Sequence, residues 1–309
     1  MKCAISIDLD AIGCYYRIHA LGEPPAELAH VIFERAVPRA VALLARRGVR
    51  ATWFVVGRDA EHAPNARVLR ELAAAGHELG NHSYSHPYEL ARLAPEAVDA
   101  ELADCDRLLR AIAGVPVRGF RAPGYDVSPA MLDTLARLGY RYDSSIFPAP
   151  GYYAAKAAVM AALAIARRPS GAVMVDPRTL AAPAEPYRPA MNAPWRRGQA
   201  PLVELPVAVT PWARVPAIGT TLLVAPRVVR DRVIAAMARR SCFNLELHGI
   251  DFADAEQDGI PGELVERQPD LRLAIAEKLE RMEEMLDEIG KRWTFVTLGE
   301  IAADVQRAV

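Results

Sequence analysis

Short apolar stretches alternate with helix-period stretches about seven times along the 309 residues, and this rhythm restricts the fold more than any other feature. Strands are expected at 3–7, 51–57, 77–81, 119–121, 140–142, 243–247 and 294–296. Segments 36–47, 67–75, 95–113, 128–138, 227–239, 270–289 and 298–309 read as helices, carrying apolar residues at helical spacing. Pro95 and Gly114 bracket one of them and Ser128 opens another, as helix start and stop residues do. Strands separated by helices of this length pair in parallel, because the chain must cross back over the sheet between them. About seven such units fit one barrel or near-barrel better than two separate domains. In that architecture functional side chains sit just past the C-terminal ends of the strands.

The polar residues follow that rule. Asp8 and Asp10 come after the first strand, His82 and His86 after the third, Arg121 after the fourth, Asp143 after the fifth, and His248 after 243–247, so all fall on one rim. His82-Ser83-Tyr84-Ser85-His86 sets two imidazoles one helical turn apart, a spacing that lets both face one metal ion. A histidine pair alone is a weak signal, and Asp10 supplies the carboxylate that would complete the set. Two histidines and a carboxylate with open positions suit zinc and equally other divalent transition metals. Asp8 shares a side of the strand end with Asp10 and is left as a general base; the plainer alternative is that either aspartate caps a loop. Arg121 can hold Asp8 through a bidentate ion pair, as a catalytic orienter or a structural salt bridge. The Pro123-Gly124 turn behind it can aim main-chain N–H groups at a developing oxyanion. His248 is placed as a general acid for a leaving amine, and Asp143 either tunes that imidazole or caps its own loop. Together these groups describe metal-assisted hydrolysis of an acyl bond. Neither a G-x-S-x-G elbow nor a G-x-x-x-x-G-K-[ST] phosphate loop occurs.

Composition enters where it excludes partners. The net charge of −1 argues against a nucleic-acid protein, which needs a strong basic excess. That average hides a split: residues 148–240 hold 13 Lys/Arg against 4 Asp/Glu, and 12 of the 24 prolines fall in 148–216. Cys3, Cys14, Cys105 and Cys242 have no regular spacing and read as reduced thiols. With an acidic residue as early as Asp8 and no apolar run of bilayer length, the expected location is the cytoplasm, with the inner face of the membrane as a variant.

These motifs resemble the polysaccharide deacetylase family, also called the NodB-homology domain or carbohydrate esterase family 4. The likeness runs through Ser6-Ile7-Asp8-Leu9-Asp10, Ala51-Thr52-Trp53-Phe54-Val55-Val56-Gly57, Gly76-His77-Glu78-Leu79-Gly80-Asn81-His82-Ser83-Tyr84-Ser85-His86, Phe120-Arg121-Ala122-Pro123-Gly124 and Leu247-His248. It covers 1–147 well and roughly 220–309 more weakly. The resemblance implies an α/β fold, a distorted, TIM-like (β/α)7 barrel. It implies a divalent metal, zinc first, on Asp10, His82 and His86, with Asp8 as base, Arg121 orienting it and His248 as acid. The implied substrate is an N-acylated, most simply N-acetylated, amino sugar. Three departures stand out. Asp-Leu-Asp replaces adjacent aspartates, as in a subset of intracellular members. Gly124, with Tyr125 next, stands where many members have a tyrosine, so only a main-chain oxyanion role carries over to Gly124. Asp143 lacks the tryptophan that usually follows it, a place for Trp195 or Trp212 to fill.

Residues 148–220 have no obvious counterpart in a minimal barrel of this family and read as a proline-rich basic insertion in a single domain. Within it 153–166 is apolar apart from Lys156 and ends at Arg167-Arg168. The leading reading is a core helix of the barrel. The competing one is an interfacial helix that, with Arg188, Arg196, Arg197 and Arg214, covers the barrel mouth, contacts an anionic membrane and receives a lipid-linked or glycolipid substrate. The alternatives to N-deacetylation are a deformylase or another C–N hydrolase, and a non-catalytic sugar- or lipid-binding protein on a degenerate barrel.

Overall fold

The computed structural model describes residues 1–168 and 170–308; Pro169 of the basic segment and Val309 of the expected last helix lie outside them. The strands are β1 (Lys2–Leu9), β2 (Thr52–Val55), β3 (Glu78–Asn81), β4 (Gly119–Phe120), β5 (Tyr142–Asp143), β6 (Pro189–Ala190), β7 (Ala193–Arg197), β8 (Val203–Glu204), β9 (Cys242–His248) and β10 (Thr294–Val296). A curled parallel sheet runs β9-β1-β2-β3-β4-β5-β8, with β10 beside the first residues of β1. This is the barrel anticipated from the alternating rhythm. β6 and β7 form a separate antiparallel ribbon.

β1 shows how the barrel is built. Every residue from Cys3 to Leu9 is buried, because helices cover the sheet outside and side chains fill it inside. Successive side chains point to opposite faces. Cys3, Ile5, Ile7 and Leu9 join the main apolar core, together with Phe243, Leu245 and Leu247 of β9. The alternate residues face the interior. Ala4 packs there with Phe54, Tyr142, Val203 and Val296. Above that apolar floor sit Ser6, Asn244, Asp8 and Glu246, all buried. The barrel has a seam between β8 and β9. Asn244 bridges it, its side-chain Nδ2 donating to Leu205 O at 3.2 Å and its main-chain carbonyl accepting from Ala208 N–H at 3.2 Å.

The helix Pro95–Ala113 starts and stops where expected, closed by Gly114 at φ 68°. The Ser128 hydroxyl accepts from Met131 N–H, capping Pro129–Leu138.

Two expectations for the basic segment are corrected. It is not wholly outside the barrel, since β8 pairs with β5 and completes the sheet. A two-residue strand among prolines has no periodicity to read. Nor is 153–166 a core helix. The helix Pro150–Ile165 buries only Tyr153 fully, because the described residues around it cover little of its other sides.

Candidate active site

Strand register assembles the site. Asp8 lies beside both Phe54 of β2 and His248 of β9, at the C-terminal ends of all three strands. Asn81 at the end of β3 pairs with Phe120 of β4, so the chain just past those ends brings His82 and Arg121 to the same rim. A cavity of about 290 Å³ opens there, lined among others by Asp8, Asp10, His82, His86, Gly124, Tyr125 and His248.

Asp10, His82 and His86 converge. Asp10 Oδ1 lies 3.2 Å from His82 Nε2 and 3.2 Å from His86 Nε2. All three side chains are buried, and their nearest ligand atoms lie within 4.8 Å of one another. His82 Nδ1 is 2.7 Å from Arg121 O. A main-chain carbonyl can only accept, so Nδ1 carries the proton and the Nε2 lone pair faces inward. Asp10 Oδ1 has no hydrogen-bond donor of its own. The inward lone pair of His82, the Nε2 of His86 and an orphaned carboxylate oxygen, turned to one point, make a donor set that fits a divalent cation. The convergence does not come from a helical turn, as the i,i+4 spacing suggested. Residues 82–86 form a loop, and Ser83 (φ 62°) and His86 (φ 57°) in left-handed conformations fold the two rings together.

Asp8 and His248 flank this cluster. Arg121, fully buried, donates from Nη1 to Asp8 Oδ1 at 2.6 Å. The bidentate pair expected here is absent. The other nitrogens are engaged by Ser6 Oγ at 2.9 Å, Ser144 Oγ at 3.0 Å and Ser144 O at 3.0 Å. One arginine therefore ties together β1, β4 and the end of β5. Phe54 lies 4.4 Å beneath the guanidinium, and bare Gly80 makes room for that ring, since a Cβ there would meet Phe54 Cδ1 at 2.5 Å. Burial pushes the Asp8 carboxyl up from its ordinary value, and Arg121 and His82 pull back without cancelling it. Burial also opposes charge on Asp10, but His86 and His82 outweigh it and hold that carboxyl well below the usual range. Their neighbours thus separate the two carboxyls, Asp8 pushed up and Asp10 held down.

His248 is partnered by Glu246, which the sequence reading missed. Its Nδ1 is 2.8 Å from Glu246 Oε1, and the Tyr125 hydroxyl reaches Glu246 Oε1 at 3.0 Å and His248 Nε2 at 3.3 Å. Burial works against charge on His248, but Glu246 outweighs it and holds the imidazole well above the ordinary histidine range. The signal was present in Asn244-Leu245-Glu246-Leu247-His248, where polar residues alternate along one face of a strand. Asp143 does not tune His248. It accepts from Ser145 Oγ and sits beside Glu204 in register; burial pushes Asp143 up to about 6, with the bonds to Ser145 and Glu204 pulling the other way. Tyr125 N–H is taken by Ala122 O at 3.2 Å, which leaves Gly124 alone as the main-chain oxyanion candidate. Neither tryptophan lines the cavity. Trp195 lies under the Arg178 guanidinium at 4.0 Å and Trp212 is exposed. The cysteines are free, as expected.

Glu246→Gln should lower the His248 pKa, because it removes the carboxylate that favours the imidazolium. The alkaline limb of kcat/KM is then expected to move to lower pH, and an unmoved limb would remove Glu246 from this role.

The polysaccharide deacetylase family model matches residues 28–142. A protein from Mycobacterium smegmatis, itself only provisionally described as a polysaccharide deacetylase, shares the fold at TM-score 0.61 and 18% identity, over 99% of this chain and 91% of that one. The matched segment is thus similar to the polysaccharide deacetylase family, and the chain as a whole shares the fold of the Mycobacterium smegmatis protein. Among curated relatives, the peptidoglycan deacetylase of Helicobacter pylori is 28% identical over 145 residues, 46% of this chain and 48% of that protein. The chitooligosaccharide deacetylase of Sinorhizobium fredii is 32% identical over 132 residues, 41% of this chain and 60% of that one. The matches thus span about half the length of these relatives.

Proposed function

We propose that the protein is a metal-dependent hydrolase that removes an N-acyl group, most simply N-acetyl, from an amino sugar. The observation that carries this reading is the arrangement across one cavity: a carboxylate oxygen 3.2 Å from two histidine nitrogens, flanked by an arginine-held aspartate and a glutamate-held histidine. The relatives named as deacetylases of peptidoglycan and chitooligosaccharides support the same substrate class. Asp10, His82 and His86 would hold the metal, zinc first. When bound, such an ion supplies Lewis acidity, polarising a carbonyl and lowering the pKa of a coordinated water from 15.7 to about 7.

The chain's own residues do the rest. Asp8 takes a proton from the attacking water, and Arg121 keeps Asp8 aimed. Gly124 N–H donates to the oxyanion. His248, kept protonated by Glu246, gives its proton to the departing amine. Cleaving the C–N bond yields a carboxylate and a free amino sugar. A lipid-linked or glycolipid sugar is the finer form of this substrate, and it is supported by the apolar helix beside the cavity, whose Tyr152 and Lys156 line it. Deformylation is the second reading, since the same groups serve a smaller acyl.

The test is acetate and formate release from chitooligosaccharides and from N-acyl glycolipids, with and without a chelator. Acetate release that a chelator abolishes and Zn2+ restores is expected. Release insensitive to chelation would overturn the metal role, and sugar binding with no release would favour the non-catalytic binder.

A further inference from the structure

The helix Pro150–Ile165 lacks a polar face. Its sequence, PGYYAAKAAVMAALAI, carries one charged side chain, Lys156, which turns aside to donate to Val173 O at 2.7 Å. Val159 is 60% exposed and Ile165 86%. A helix apolar all round belongs inside a protein or against lipid, and the described residues of its own chain leave most of this one exposed. At 16 residues it is too short to span a bilayer, and no helix among the described residues is long and apolar enough to do so.

A second apolar feature leaves the same place. Thr210 N–H donates to Val215 O at 2.8 Å, closing a turn with Trp212 near its tip, 90% exposed. Trp212 and Arg214 sit at φ 67° and 49°, a left-handed backbone that bulky residues rarely adopt. Tyr153 at the helix base packs in one apolar cluster with Val209 and Ile218, which flank this turn. Tyr152, Lys156 and Ile218 also line the active-site cavity, so helix and turn both border its mouth.

Charge selects the occupant. No Asp or Glu lies between Asp143 and Asp176, or between Glu204 and Asp231. Arg167 and Arg168 stand exposed at the end of the helix, and Arg214 sits in the turn. A second copy offering this face would bring arginines against arginines, which repel. An apolar helix, an exposed tryptophan and flanking arginines complement a surface of acyl chains beneath anionic headgroups.

We infer that the helix Pro150–Ile165 and the Trp212 turn form a docking surface for an anionic lipid bilayer, with the helix lying in the interface and the cavity mouth beside it. Docking goes beyond the proposed hydrolysis and does not depend on it.

Flotation of the full chain with vesicles tests this. Binding is expected to vesicles of phosphatidylcholine with phosphatidylglycerol and to be weak with phosphatidylcholine alone. Arg167→Glu with Arg168→Glu should lower the partition coefficient by roughly tenfold or more. Val159→Glu with Ile165→Glu should do the same by removing the apolar contact. The circular dichroism spectrum and melting midpoint should match the wild type in both variants, which reports their folding independently of any catalysis. No flotation of the wild type, equal flotation of all three proteins, or a wild-type dimer in light scattering that Val159→Glu dissolves while vesicles stay bare would each overturn the inference.

Discussion

Asp8→Asn is expected to lower kcat by roughly 10²- to 10⁴-fold, the usual worth of a positioned general base, while the metal content stays that of the wild type. The substitution keeps the shape of the side chain and the acceptor for Arg121, yet removes the charge that takes a proton. Asp8 is not among the converging donors of Asp10, His82 and His86, so metal binding should survive. His82→Ala is the contrast: it removes one of those donors and should lose metal and turnover together. Metal analysis of the two purified variants beside acetate release separates the roles. Full activity in Asp8→Asn would overturn its assignment as base, and loss of metal from Asp8→Asn would show that the two aspartates divide the work differently.

Arg121→Met should be the most destabilising single change at the site. The guanidinium is fully buried and satisfies Asp8, Ser6 Oγ, and the hydroxyl and carbonyl oxygens of Ser144. Removing it leaves a carboxylate and two hydroxyls buried with fewer partners, and breaking a buried pair from one side typically costs about 3–5 kcal/mol. A fall in urea midpoint is the expected readout. Adding Asp8→Asn to the Arg121→Met background should recover part of that loss, since the second substitution removes the stranded charge. An Arg121→Met protein as stable as wild type would mean that water replaces the guanidinium and that Arg121 serves orientation alone.

Much of the barrel was legible because parallel strands buried on both faces leave continuous apolar runs, and β1 at Lys2–Leu9 is the clearest case. The polar rim was legible for the same geometric reason, as residues just past strand ends. Glu246 was overlooked within an apolar strand, although its spacing from His248 put both on one face. β8 was hidden because two residues among prolines carry no period. The helix Pro150–Ile165 was misjudged from hydropathy alone, which records that a segment prefers to leave water but not whether its own chain provides the cover.

The sequence by itself determined the alternation of strands and helices, the side of β1 and β9 on which polar groups lie, and which residue types meet at the rim. Those properties are local, set by periods of two and 3.6 residues along the chain. The tertiary structure alone decided the partnerships: Glu246 rather than Asp143 beside His248, a single Arg121 nitrogen on Asp8 with the others spread over Ser6 and Ser144, and two histidines brought together by a left-handed loop. These depend on strand register and on contacts between residues more than a hundred positions apart, as Asp8 and Arg121 are. Register is settled by the packing of the whole barrel, so no short stretch of sequence contains it.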